Sequence, residues 1–229
     1  MDFSYIKRNF EELKGQIQSI SSRVGVSEPK LVAVTKSGSD EELLALASFG
    51  AAAIGENRPG ELSRRGELLR AAGYMPELHE IGTLQSNKAK LVCPIATLIH
   101  SLDSLSLAKE LCRQGEKLGK SIDVLIEINS ALEEQKGGIL PDDAERFIEE
   151  VLSFGNLNIR GLMTMGPVCE STEEYRPYFR LTKKLFDKFN MRYGFGKDPV
   201  LSMGMSDSFE VAIEEGSTLV RVGRRLFYK

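Results

Sequence analysis

Apolar residues recur at helical spacing from the start of the chain, at Phe3, Ile6, Phe10, Leu13, Ile17, Ile20 and Val24. Steps of three and four residues place them on one face, so the pattern predicts a long amphipathic N-terminal helix. The period then changes. Leu31 to Lys36, LVAVTK, is a short β-branched run of the kind a parallel sheet covered on both faces requires. Ser39-Asp40-Glu41-Glu42 opens a helix over Leu43 to Phe49, with Ser39 as N-cap and Glu42 as its capping-box partner.

The same alternation runs to the end of the chain. Strand-like segments are Ala51–Gly55, Leu78–Gly82, Thr97–Ser101, Ile122–Asn129, Ile159–Met165, Pro199–Met203 and Thr218–Val222. Helix-like segments between them are Glu61–Ala72, Leu84–Leu91, Ser104–Leu118, Asp142–Leu152, Glu173–Tyr193 and Ser206–Glu214. Counting from LVAVT gives eight strands, each followed by a helix except the last. This order predicts an α/β fold, a (β/α)8 TIM-type barrel with one extra N-terminal helix. An open doubly wound sheet is the alternative. No Gly/Ser/Pro linker and no charge block marks a boundary, so residues 1–229 read as one barrel domain.

Composition narrows the function classes. With 41% hydrophobic and 28% charged residues the chain is globular, although its 229 residues alone would allow one domain or two. Lys and Arg total 30 against 33 Asp and Glu, a net charge of −3, which argues against a strongly basic nucleic-acid surface. No apolar run reaches the roughly 18–20 residues of a membrane span, and the charged N-terminus lacks a signal-peptide core. Cys93, Cys112 and Cys169 are scattered and form no CxxC, which points to a reducing cytoplasm rather than disulfides or zinc. His79 and His100 are the only histidines, and that count excludes a His-rich metal site and a multi-histidine relay.

In a barrel, chemistry collects at the carboxyl ends of the strands. Those ends carry Thr35-Lys36, Gly55-Glu56-Asn57, Gly82-Thr83, His100-Ser101, Glu127-Ile128-Asn129, Met163-Thr164-Met165, Ser202-Met203-Gly204 and Arg221-Val222-Gly223-Arg224. Lys36 closes an apolar run. A lysine amine partly desolvated at such a mouth loses its proton more readily and attacks an aldehyde. The competing reading is a surface lysine whose ammonium reaches water. The segment from Arg221 to Arg224 follows the last strand, where barrels often hold phosphate. There Gly223 admits backbone N–H groups close to an anion, with Ser202 and Thr218 as hydroxyl donors. The competing reading is a glycine turn with two exposed arginines.

Other features read as structural. Met163, Met165, Met203 and Met205 alternate as core and rim residues, and the cysteines as small buried hydrophobes. His79 reads as a hydrogen-bonded core residue, Glu133-Glu134 and Asp142-Asp143 as solvated charges at helix starts, and Arg176-Pro177-Tyr178-Phe179 as a helix face packed on the barrel.

Several motifs together resemble one family. They are VAVTK with Lys36, IGEN at Ile54–Asn57, HEIGTLQSNK at His79–Lys88, IEINSALEEQKGGI at Ile126–Ile139, GLMTM at Gly161–Met165, RPYF at Arg176–Phe179 and the block from Leu201 to Phe227. The chain resembles the pyridoxal phosphate (PLP) homeostasis proteins, the small alanine-racemase-like PLP-binding barrels, from about Leu31 to Phe227.

The resemblance implies a barrel that holds pyridoxal 5′-phosphate. Lys36 then matches the lysine that forms the internal aldimine, a Schiff base. Asn57 lies near the ring, Ser202 on the phosphate, and Gly223 and Arg224 give that phosphate backbone donors, with Thr218 as a further donor. Arg221 faces the pyridine nitrogen. The implied role is vitamin B6 homeostasis in the cytoplasm: binding PLP and handing it to apo PLP-dependent enzymes, with little or no catalysis. Thr83 departs from the G-x-LQ pattern, and the LFYK ending is shorter than usual.

Low turnover has a chemical reason. An arginine cannot accept a proton, so the ring nitrogen stays neutral and delocalises a carbanion poorly. The racemases overcome this with a tyrosine from a second, C-terminal domain. The chain ends at Lys229 directly after the eighth strand, so that base is expected to be absent. The alternative remains a PLP-dependent racemase or related enzyme using Tyr178 or Cys169 as second base. A third reading is an aldolase-type barrel with Lys36 on a sugar-phosphate aldehyde. A monomer is expected, with neither nucleic acid nor membrane as partner.

Overall fold

The last strand, Leu219–Val222, hydrogen-bonds back to the first, Lys30–Val34, and this closure decides between the barrel and the open sheet. The structure is a computed structural model that describes residues 2–133 and 137–228. Among these residues eight parallel strands run in chain order around the barrel. They are β1 (Lys30–Val34), β2 (Ala53–Glu56), β3 (Glu77–Glu80), β4 (Leu98–Leu102), β5 (Ile122–Ile128), β6 (Leu157–Thr164), β7 (Val200–Ser202) and β8 (Leu219–Val222). The helices are α1 (Ser4–Val24), α2 (Asp40–Ser48), α3 (Pro59–Ala71), α4 (Ala89–Val92), α5 (Leu105–Leu118), α6 (Ala144–Leu152), α7 (Arg176–Tyr193) and α8 (Phe209–Glu214).

Local sequence accounts for most element boundaries. Helix α1 buries Ile6, Phe10, Leu13, Ile17 and Ile20, the face expected from its spacing. The α2 capping box forms with both of its hydrogen bonds, which satisfy backbone donors that would otherwise be orphaned. Helix α7 buries Phe179, while Arg176 pairs outward with Glu173, Glu214 and Glu215.

Three helix expectations need correction. The segment expected as a helix over Leu84–Leu91 is a short 3-10 turn (Ser86–Lys88) followed by the four-residue α4. Pro94 follows two residues later and cannot continue a helical hydrogen-bond ladder. The segment from Ser206 to Ser208 is a turn, and α8 begins only at Phe209. Glu133 does not start a helix; it lies in the loop after β5, where its N–H bonds Asn129 Oδ1 at 3.3 Å. Glu134 lies outside the described residues.

Strand alternation divides the barrel into two apolar layers. Ala33, Ile54, Ile99, Ile126, Leu201 and Val220 face outward into the core shared with the helices. Val32, Ala53, Leu98, Leu125, Met163 and Leu219 form a separate inner cluster. That inner set fixes which residues of each strand point along the barrel axis. Among the described residues no helix is long and apolar enough to cross a membrane.

Candidate functional site

The inner face of β1 runs through Lys30, Val32 and Val34, and the same parity leads to Lys36 just beyond the strand. The inner face of β2 runs through Ala53 and Gly55 to Asn57. Register aligns the two ends, because Val34 lies level with Gly55 and two further steps bring Lys36 level with Asn57. On the other side Ala33 lies level with Val222, so Gly223 falls beside Val34. A Cβ on Gly223 would sit 2.9 Å from the Val34 carbonyl oxygen, so only glycine lets the β8 exit lie this close to β1. Lys36, Asn57 and Gly223 therefore gather at the carboxyl end of the barrel.

Lys36 itself is exposed, so the partial burial expected for its amine is not found. Its backbone is held instead. Arg65, 7% exposed on α3, donates Nη1 to the Thr35 carbonyl and Nη2 to the Gly38 carbonyl, each at 2.6 Å. The same Nη1 reaches Glu56 Oε1 at 2.6 Å, and Glu56 is 1% exposed. Two carbonyls that bracket Lys36 are thus clamped by a buried ion pair. Neither Arg65 nor the role of Glu56 was evident from sequence spacing.

Glu80 lies beside this pair, fully buried, with the Gly82 N–H on one oxygen at 3.1 Å and the other oxygen unpartnered. Burial pushes its pKa up to about 8; the Glu56 charge adds to the rise, and the Gly82 hydrogen bond opposes it. The folded pKa exceeds the ordinary 4.5, so the neutral carboxyl favours folding fully below about pH 4.5. That contribution is lost as pH rises through about 8. Glu80→Gln is therefore expected to flatten the decline in unfolding free energy between pH 5 and 8.5 by a few kcal/mol. Denaturant melts across that range check it, and identical slopes in the two proteins would refute it.

Arg221 points into the barrel from β8 and is 4% exposed. Its Nη1 donates to Ser202 Oγ at 2.6 Å and to the Ser202 carbonyl at 3.1 Å, and its Nη2 to the Thr164 carbonyl at 3.2 Å. Burial lowers its pKa to about 10, against the pull of Glu127, so it stays charged at neutral pH. Arg221 is thus not one of two exposed arginines; Arg224 is exposed and pairs with Asp207. Glu127 enters the same interior from β5, 4% exposed, with its pKa pushed up to about 7 by burial and then by Asp103.

Ser202 is fully buried, and its hydroxyl also meets His100 Nδ1 at 3.0 Å. His100 Nε2 in turn meets His79 Nδ1 at 2.8 Å. The expectation that two histidines are too few for a relay is overturned, because both belong to one hydrogen-bonded chain. Ser206, from the same serine- and methionine-rich segment, lines a cavity of about 410 Å³ with Asn9, Leu13, Asp207, Arg224 and Tyr228. Thr218 is not brought to this end. It precedes β8, accepts from Leu201 N at 2.8 Å, and lines a 330 Å³ cavity with Lys30, Glu77 and Arg160 at the amino ends of the strands.

The model of the alanine racemase N-terminal domain matches residues 9–228. The chain belongs to this family. Among its relatives is the pyridoxal phosphate homeostasis protein of Aquifex aeolicus, 41% identical over 93% of this chain and 92% of that one. The protein of the same name from Helicobacter pylori is 37% identical over 86% of each chain. PipY from Synechococcus elongatus, solved with PLP bound, superposes with a TM-score of 0.84 at 27% identity, covering 97% of this chain and all of PipY. Alanine racemase from Corynebacterium glutamicum shares the fold, with a TM-score of 0.72 at 19% identity over 99% of this chain and 61% of that one.

The residues present fit a phosphorylated aldehyde. Lys36 offers an exposed amine just past β1, Gly223 a glycine turn leaving β8, and Arg221 a buried cation in the barrel interior. Lys36 and Gly223 follow the carboxyl ends of the adjacent strands β1 and β8.

Proposed function

We propose that this chain binds pyridoxal 5′-phosphate covalently through Lys36 and serves as a reversible carrier in PLP homeostasis. The register that brings Lys36 level with Asn57, at the end of the barrel where the Gly223 turn leaves β8, carries this reading. When bound, the cofactor supplies an aldehyde and an electron-poor ring. Lys36 holds the aldehyde carbon. Asn57 flanks the ring, and the backbone of Gly223 and Arg224 with Ser206 holds the phosphate. Ser202 acts through Arg221 rather than on the phosphate, since its hydroxyl is already engaged by Arg221 and His100.

Arg221 supports the carrier role. A guanidinium only donates hydrogen bonds and offers the ring nitrogen no proton acceptor. Its three acceptors, the Ser202 hydroxyl and the Ser202 and Thr164 carbonyls, hold it in the barrel interior. A ring left neutral at nitrogen is a weak electron sink, so turnover of amino acids is slow. The protein works in the cytoplasm as a monomer and passes its cargo to apo PLP-dependent enzymes.

Spectral titration with PLP, run beside a panel of amino acids, tests this. The expected result is saturable binding at one site with racemisation near background. Fast racemisation of alanine or serine that depends on Lys36 would overturn the carrier role, and absence of saturable binding would overturn the whole reading.

A further inference from the structure

A continuous chain of side chains runs along the barrel axis. Arg221 Nη1 meets Ser202 Oγ at 2.6 Å, Ser202 Oγ meets His100 Nδ1 at 3.0 Å, and His100 Nε2 meets His79 Nδ1 at 2.8 Å. His79 Nε2 then meets Glu77 Oε2 at 3.1 Å. Glu77 is partly exposed at the amino end of β3 and pairs with Lys30 at 2.7 Å. The four links thus join the interior beside Arg221 to the face of the barrel opposite Lys36.

We propose that Glu77, His79, His100 and Ser202 form a one-way hydrogen-bonded relay that positions the Arg221 guanidinium from the far end of the barrel. The two ends determine the direction of every link. A guanidinium has donors only, so Ser202 Oγ accepts from Arg221. An ionised carboxylate has acceptors only, so His79 Nε2 carries the proton and donates to Glu77. Hydrogen bonds from His79 and Lys30 hold Glu77 ionised, with its pKa lowered to about 2.

Both rings are neutral, because burial lowers the pKa of His79 and, more strongly, of His100. Of the charges facing the rings, Glu77 opposes that lowering, while Lys30 at the same end and Arg221 at the other add to it. A neutral imidazole has one N–H. His79 Nδ1 is therefore bare and accepts from His100 Nε2–H. His100 Nδ1 is bare in turn and accepts from the Ser202 O–H. Reversing one link alone would set two protons or two lone pairs against each other. Ser202 therefore turns its proton away from Arg221 and presents a lone pair to it.

The consequence is that Glu77, His79, His100 and Ser202 are positioning residues for Arg221. Only the step from Arg221 to a bound ring rests on the proposed PLP function; the relay itself does not.

The chain has two histidines, so ¹⁵N-labelled apoprotein gives two imidazole spin systems in a long-range ¹H–¹⁵N spectrum. The expected result at pH 7.5 is two neutral rings, each protonated on Nε2. An Nδ1–H tautomer or an imidazolium in either ring would overturn the relay. Glu77→Ala removes the terminal acceptor. Mixed tautomers are then expected in both rings, together with about tenfold weaker PLP binding, the worth of one hydrogen bond to a charged group. Rings that keep the single Nε2–H form in this variant, or unchanged PLP affinity in a variant whose rings have mixed, would overturn the positioning role. If wild-type protein fails to bind PLP, the ring spectrum still decides the relay on its own.

Discussion

Lys36→Ala is expected to abolish covalent retention of PLP while the barrel stays folded. Lys36 is exposed and lies just past the end of β1, outside both apolar layers. Exposed substitutions away from caps and networks change stability by about 0.5 kcal/mol or less. The glycine turn, Asn57 and Arg221 remain in the variant, so a weaker, noncovalent association persists. The visible absorbance of the bound cofactor should vanish, and retention through gel filtration should fall by at least about tenfold, equivalent to 1.4 kcal/mol. Thermal melts of the apoproteins should superpose. Absorbance that survives the substitution would place the covalent link elsewhere.

Arg65→Leu is expected to be the most destabilising single change near the site. It strips Glu56 of its charge partner at a position 1% exposed. Breaking a buried ion pair by deleting one member costs about 3–5 kcal/mol, because the other charge stays buried and uncompensated. The Thr35 and Gly38 carbonyls lose a donor as well. For a chain of this size about 2–4 °C of melting temperature is lost per kcal/mol, so a drop of roughly 10 °C is expected. The turn carrying Lys36 should loosen too, weakening PLP retention beyond what stability alone explains. Adding Glu56→Gln to this variant should recover part of the loss, since the orphaned charge is removed. A drop of less than about 2 °C in Arg65→Leu would show that the clamp is not what holds the turn.

Much of the fold was legible because each signal is local. The apolar stripe of α1, the Ser39–Glu42 capping box and the switching between two periods all act within a few residues. The strand-end rule led to Lys36, Asn57, Arg221 and Gly223 for the same reason. The failures are long-range or directional. Thr218 is near Gly223 in sequence, but it enters β8 whereas Gly223 leaves it, so the two lie at opposite ends of the barrel. Arg65 and Glu56 meet only when α3 packs back against β2.

The histidine pair shows the same limit. His79 and His100 are 21 residues apart, and the partner that His79 finds close by in sequence, Glu77, gives no sign of His100. They meet because β3 and β4 are adjacent and both residues fall on inward positions. Parity within each predicted strand was available from the sequence; the level of one strand against the next was not, and a count of two histidines could not replace it.

Borohydride reduction of the protein with PLP, followed by peptide mapping, tests the central claim most directly. The expected result is one pyridoxyl group per chain, located on Lys36. An unmodified Lys36, or a pyridoxyl group on a different lysine, would contradict it.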